Sequence, residues 1–529
     1  MLIEALVFAF AFSSVSSLAP MQTAQDSFVF NNKAEPETLD PHVVTGTPDS
    51  YIVIQLFEGL MTRKADWTSI TYGQAESYHV SKDGQTYTFK LKPNLKWSDG
   101  SKLTAEDFVY SFHRGVEPKT LGQYAYWFTD NIAGMKEYAA NPTPENQKKT
   151  GVRALDDRSL EIKLLKPVPY FVQMLSEPFA YPVKKSVVEK FGDRWTRPER
   201  IVGNGPYNLI EWKVTDKIVM EKNPNYVDAA SVQIKKIVAL PIVERQTAVD
   251  LFRQGRLDWT GYNGVPNALV PSMRSDKNFR LHPGFITYFY RMNSTRAPLN
   301  DPRVRMALAL AINRGDIVEK VTRAGEIPAS NFVPLGVGTY KSLATTISSD
   351  HKVNLEKAKK LLADAGFPGG KGMRKLSLQY NSDENHKRVA LAITEMWNRD
   401  LGVQVEAYNQ EWKVYLKAQE SLDYDISRSG WAGDYPDAAS FLELFTSTSA
   451  NNMTGWKNSE YDALFSESNK TLDPKKRDEL MAKAEAILMT EMPIAPIFYM
   501  TNFSFVRPEL QGFVPNLVDR PYVKYMSKK

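Results

Sequence analysis

The chain has 529 residues, with 66 Lys plus Arg against 61 Asp plus Glu and a net charge of +5. That length exceeds what one hydrophobic core fills, and so balanced a charge argues against nucleic acid or an anionic membrane as partner. The absence of cysteine excludes disulfides, thiolate metal sites, a cysteine nucleophile and a lipid-modified N-terminal cysteine.

Residues 5–12 form a short apolar run followed by small residues up to Ala19, the pattern of a secretory signal ending by about residue 25. Glu4, and the lack of Lys or Arg ahead of the run, depart from that pattern. No later stretch approaches the ~18 apolar residues of a membrane helix, so stable membrane insertion is not expected. Residues 27–31 (SFVFN) read as a strand and residues 35–42 (EPETLDPH) as an irregular loop. Residues 85–92 (QTYTFKLK) alternate apolar and polar, the period of a half-buried strand. After a turn at 98–100, Thr104 caps a helix over 104–112 with acids in its first turn. Residues 160–165 predict another strand. The turn NGPY at 204–207 leads to strands over 217–221 and 234–242. Asp301 and Pro302 open a helix running to about Asn313, and a helix over 354–365 is stopped by Gly366. No internal repeat or linker is visible, so the domains are expected to interleave at crossing strands.

Residues 375–434 are the most informative. Strand 376–380, helix 386–401 ended by Gly402, strand 403–408, helix 412–420 and strand 424–428 give β-α-β-α-β, hence parallel strands with right-handed crossovers. Ligands in such sheets bind beyond the carboxyl ends of the strands. His386 opens a helix after one strand, Arg428 ends another, and Asp434 lies in the loop beyond, so all three are placed at one edge. Taken alone, Asp434 also reads as a turn cap within GWAGDYP (430–436), Arg428 as a strand-end surface charge and His386 as a polar helix start. The six histidines show no metal-ligand spacing, there is no H-E-x-x-H and no G-x-S-x-G, and GFPGGKG (366–372) follows a helix rather than a strand. Nothing argues for an enzyme, a metal or a cofactor.

The loop and the strand before it resemble those of the oligopeptide-binding members of the peptide/nickel family (family 5) of periplasmic solute-binding proteins. The similarity extends through EPETLDPH (35–42), LFEGL (56–60), KLKPNLKWSDGSKLTAEDFVYSF (90–112), KPVPYF (166–171), NGPY (204–207), NPNY (223–226), NDPRVRMALALAINR (300–314) and NQEW (409–412). The resemblance implies an α/β fold, a two-lobe periplasmic-binding-protein clamp (type II-like, cluster C) with an extra subdomain in the first lobe. Residues 26–57, 183–285 and 501–529 would form the first lobe's core, 58–182 its extra subdomain and 286–500 the second lobe, with the hinge near Ile286 and Met500.

It further implies a periplasmic, monomeric protein that binds extended peptides of about two to five residues, passes them to an inner-membrane ABC permease and catalyses nothing. A dedicated murein-tripeptide or other non-peptide carrier of the same family is the alternative. By the same resemblance Asp434 pairs with the peptide's α-ammonium, and Arg428 and His386 meet its carboxylate. Main-chain groups at Thr45, Gly46 and Thr47, and at Gly430, Trp431 and Ala432, pair with the peptide backbone. The rings of Tyr124, Tyr262, Trp412 and Trp431 line side-chain pockets, and Asn263 and Gly433 are further ligand-binding residues. Three positions depart from the pattern. Ile286 and Ala432 stand where some relatives carry a disulfide. Gln419 replaces a basic residue, and Arg291 replaces an acidic one, which turns one pocket toward acidic side chains.

Overall fold

The structure of the chain, a computed structural model, describes residues 25–433, 435–449 and 451–529. The signal-like segment up to Pro20, and Asp434, therefore lie outside the described residues.

Strand β1 (Ser27–Asn31) begins the described chain with Phe28 and Phe30 fully buried. The chain then leaves this core to build a separate antiparallel sheet from β2 (Ala75–Val80), β3 (Thr86–Leu91), β4 (Val152–Asp156) and β5 (Ser159–Lys163), in the order β2-β3-β5-β4. The alternation read in 85–92 turns Tyr87, Phe89 and Leu91 inward along β3. The helix Ala105–Val116 starts at the expected cap, where the Asp107 carboxylate accepts the Thr104 N–H at 2.8 Å. Residues from Leu60 to Ala180 share a hydrophobic core of their own.

The chain returns through β6 (Tyr207–Lys213), β7 (Lys217–Lys222) and β8 (Lys236–Leu240), closing a sheet of order β1-β8-β7-β6 in which β1 and β8 run parallel. Strand β6 is not predicted from the sequence. A register shift between Leu209 and Glu211 interrupts its alternation, so YNLIEWK lacks a strict period of two.

The largest sheet has six strands, β9 (Phe279–Met292), β10 (Ile327–Pro328), β11 (Leu376–Asn381), β12 (Val405–Gln410), β13 (Ile426–Ala432) and β14 (Ile494–Phe505), in the order β10-β14-β9-β13-β11-β12. As expected, β11 runs parallel to β12 and β13. The antiparallel partners β9, β14 and β10 make the whole sheet mixed. The helix between β11 and β12 begins at Glu384, two residues before the predicted start, because the Asp383 carboxylate caps it by accepting the His386 N–H at 2.9 Å. It ends at Gly402 in the left-handed region, φ 68°.

One boundary is corrected. Arg428 does not end its strand, because β13 continues through Gly430 to Ala432 on a ladder to β9 that pairs Tyr290 with Arg428 and Ile286 with Ala432. Glycine lowers strand propensity, which hid this extension, but a long neighbouring strand supplies the missing order. Ile286 and Ala432 face each other across this ladder.

The long strands β9 and β14 run side by side with one notable interruption. Pro283 faces Thr501 and Thr287 faces Tyr499, which leaves residues 284–286 bulged opposite Met500.

Candidate functional site

The site is built on β13. On one side β13 is paired with β9 from Ile426 to Ala432, but on the other it meets β11 only at Ile426 and Ser427. From Arg428 to Ala432 its second edge has no strand partner among the described residues. The Gly433 N–H reaches back to the Phe285 carbonyl at 3.0 Å, so residue 433 faces β9. Main-chain groups alternate along an antiparallel strand, and those of Arg428, Gly430 and Ala432 therefore face the open edge. The Arg428 carbonyl is capped there by the Tyr415 hydroxyl and by the Gln419 amide at 3.0 Å. A Cβ on Gly430 would stand 3.5 Å from the Arg428 guanidinium, an ordinary contact, so the protein itself does not require glycine at this position. Its bareness leaves a lane along which another backbone can approach.

At the start of this edge sit two basic groups with no compensating acid in hydrogen-bonded contact. The Arg428 guanidinium lies 4.8 Å from the Tyr288 ring centroid and donates one hydrogen bond, to Asn381 Oδ1 at 3.2 Å. Its Nε is buried without a partner, and no carboxylate of the described residues lies within salt-bridge distance. His386 Nδ1 is 3.3 Å from the Tyr288 hydroxyl and 3.6 Å from Asp383 Oδ1. Burial first, then the Arg428 charge, push the imidazole pKa down to about 4 against the weaker pull of Asp383. A neutral histidine beside an arginine that lacks a carboxylate can receive an incoming anion.

At the far end, Tyr435 is buried and stacks on Tyr170 at 4.7 Å and 16°, while the Trp431 indole N–H donates to the Ser440 carbonyl at 2.7 Å. These contacts hold Trp431 and Tyr435 in place.

The other predicted residues divide. Thr45 and Thr47 are exposed and Gly46 half-buried; Gly46 is extended, and Thr47 already begins the helix Thr47–Leu56. Tyr124 is half-buried against Trp127 at 5.0 Å, and Tyr262 lies under the Lys33 ammonium at 5.1 Å. Asn263 is tied down, its Oδ1 accepting the Phe503 N–H at 3.0 Å. Gln419 is buried, donating to Ser427 Oγ at 2.8 Å and Tyr415 Oη at 2.9 Å, so it braces β13 from beneath. Arg291 is 4% exposed, with Nε donating to Ser429 Oγ at 3.2 Å and Nη1 to the Asn451 carbonyl at 2.8 Å. Trp412 begins the helix Trp412–Glu420, and its side chain is outside what the structure describes. Sequence reasoning missed Tyr288, Asn381 and Tyr415, which hold Arg428 and its carbonyl. The run FITYFYRM around Tyr288 is buried almost throughout and carries no period of two, so no local signal marked it. Among the described residues there is no cluster of His, Cys, Asp or Glu that could hold a metal, and no helix long and apolar enough to cross a membrane.

Residues 69–453 match the family model of the bacterial extracellular solute-binding proteins, family 5 (middle region). The periplasmic oligopeptide-binding protein OppA of Salmonella typhimurium is 39% identical, over 99% of this chain and 96% of its own. Among solved structures, the unliganded open form of the periplasmic murein tripeptide-binding protein MppA is similar at a TM-score of 0.87 and 34% identity, over 96% of this chain and 98% of that one. A second structure, of MppA from Escherichia coli, is similar at 0.73 and 34% identity, over 96% and 99% of the two chains. The fold is thus the α/β two-lobe clamp of these binding proteins.

Proposed function

The chain belongs to family 5 of the bacterial extracellular solute-binding proteins, and on that premise we propose that it binds short peptides in extended form outside the inner membrane, as a monomer, and delivers them to an ABC permease without catalysing a reaction. The observation that carries this reading is the open edge of β13, with its outward main-chain groups at Gly430 and Ala432 and the Arg428–His386 pair at one end. Any peptide offers the same N–H and C=O groups to such an edge, which accounts for tolerance of sequence. Arg428 receives the peptide's carboxylate beside neutral His386, and Asp434, just past the other end, receives its α-ammonium. The peptide then runs antiparallel to β13. From Arg428 to Ala432 the strand spans about 13 Å, a length matched by a peptide of about four residues.

The lobes comprise residues 26–57, 183–285 and 501–529 with the subdomain 58–182, against residues 286–500. Closure turns about the bulge at residues 284–286 opposite Met500, as a rigid-body clamp. The similarity to an open unliganded form, at a TM-score of 0.87, supports reading this structure as the open state.

The test is titration calorimetry of Asp434→Asn with a free and an N-acetylated tripeptide. Stranding the ammonium costs roughly 2–5 kcal/mol, about 30-fold or more in affinity for the free peptide. The acetylated peptide changes little. Equal losses for both remove Asp434 from this role.

A further inference from the structure

At the opposite edge of the six-stranded sheet, beyond β10 and β14, a cavity of about 340 Å3 opens in the second lobe. Its wall includes Asn313, Arg314, Ser330, Ser349 and His351, none of which belongs to the peptide edge. Arg314 is 5% exposed, and two of its nitrogens serve the fold: Nε donates to the Pro496 carbonyl at 2.8 Å and Nη1 to the Ile312 carbonyl at 3.2 Å. Nη2 is buried with no partner, and no carboxylate of the described residues pairs with the guanidinium. His351 begins the helix His351–Asp364 on the same wall, and its Nδ1 is likewise buried without a partner. Burial holds Arg314 down to about 10, so it keeps its charge at neutral pH, and burial lowers His351 against the opposing charge of Asp400, with Arg314 adding to the lowering.

A buried guanidinium that lacks a counter-charge is costly, because the desolvation of the ion is compensated only by neutral carbonyls. An N–H left over on it, and a second unpartnered nitrogen on a neighbouring imidazole, form half of a site. The complementary half is an anion with several acceptor oxygens.

We propose that this cavity is a second ligand site, separate from the peptide edge, that takes a phosphate-type oxyanion between Arg314 and His351. Neither free nitrogen touches solvent, so the half-buried His351 ring turns aside as the anion enters and then donates to it. The cavity is larger than orthophosphate alone, so a small phosphate ester fits as well as the free ion.

The test is 31P NMR of inorganic phosphate and, separately, of glycerol phosphate, titrated with the full-length protein at constant ionic strength. The protein is saturated with a tripeptide, so that Arg428 is occupied. The wild type broadens the resonance saturably. Arg314→Gln abolishes the effect. His351→Ala, at a half-exposed helix start and therefore the variant that keeps its fold if Arg314→Gln does not, weakens it about tenfold or more. Stronger broadening of the ester than of orthophosphate assigns the natural ligand to the ester class, and the reverse assigns it to the free ion. No saturable broadening by the wild type, or the same broadening by folded His351→Ala, overturns the proposal. Neither result bears on peptide binding, which is measured separately.

Discussion

Replacing Gly433 by alanine tests how the end of β13 is held. The added methyl would stand 2.0 Å from Cε1 and 2.4 Å from Cζ of Phe285, where about 3.5–4.0 Å is normal. The ring cannot yield: Phe285 is 2% exposed and packed edge-on against Trp67 at 5.2 Å and Phe441 at 5.1 Å. The strand end must therefore move by about 1.5 Å, the gap between clash and contact, and break the 3.0 Å hydrogen bond from the Gly433 N–H to the Phe285 carbonyl. Overpacking costs about 1–3 kcal/mol and the lost hydrogen bond about 1 more. Because Asp434 follows directly, free peptides should bind about tenfold or more weakly, and N-acetylated peptides nearly as before. Scanning calorimetry of the ligand-free protein and titration calorimetry with both peptides measure the two effects. A cycle with Phe285→Ala isolates the cause: truncating the ring removes the clash, so the double variant should be more stable than the two single losses predict, by more than about 1 kcal/mol. Additive losses, or a Gly433→Ala protein with wild-type melting and affinity, would refute the reasoning.

Three further outcomes follow from the same structure. His386 is neutral at pH 7 with a pKa near 4, and a peptide carboxylate arriving beside it raises that value. Binding near pH 5 should therefore take up a proton, seen as a dependence of the calorimetric enthalpy on buffer ionisation, and His386→Asn should remove it; a buffer-independent enthalpy counts against the carboxylate role. His42 is buried between the Tyr181 carbonyl at 3.0 Å and Arg114 at 2.8 Å, and burial first, then the Arg114 charge, push it down to about 4. Its folded pKa lies below the unfolded value near 6.5, so the stability it contributes is present above pH 6.5 and falls by roughly 1.4 kcal/mol per unit as pH drops toward 4. In urea titrations at pH 7 and pH 5 a His42→Gln protein should lack that part of the slope, and equal slopes would contradict it. Glu177 is buried between Arg63, 2.8 Å away, and Arg520. Glu177→Gln should cost roughly 3–5 kcal/mol in chemical denaturation by leaving the buried Arg63 and the mostly buried Arg520 without a counter-charge, whereas a loss under about 1 kcal/mol would show the triad to be solvated.

Much of the second lobe was legible because its signals are local. Alternation in 376–380, the amphipathic run before Gly402 and the Asp383 cap each declare themselves within a few residues. The placement of His386 and Arg428 on one sheet edge followed from β-α-β order alone. The extent of β13 was not legible, because Gly430 weakens the local pattern and its order comes from β9, more than a hundred residues earlier. The same holds for Gln419 and Asn263. Each has the residue type of a ligand contact, yet hydrogen bonds with Ser427 on the next strand and, far along the chain, with Phe503 tie them into the frame. Arg314 closes the stretch NDPRVRMALALAINR, but its missing counter-charge is visible only once its surroundings are assembled.

The central claim is that the open edge of β13 holds short peptides, and native mass spectrometry of the protein purified without denaturation tests it most directly. A ladder of co-purified masses matching peptides of about two to five residues is the predicted result. A single mass would mark a dedicated ligand such as a murein peptide, and a protein that is empty and also ignores a peptide library would contradict the account.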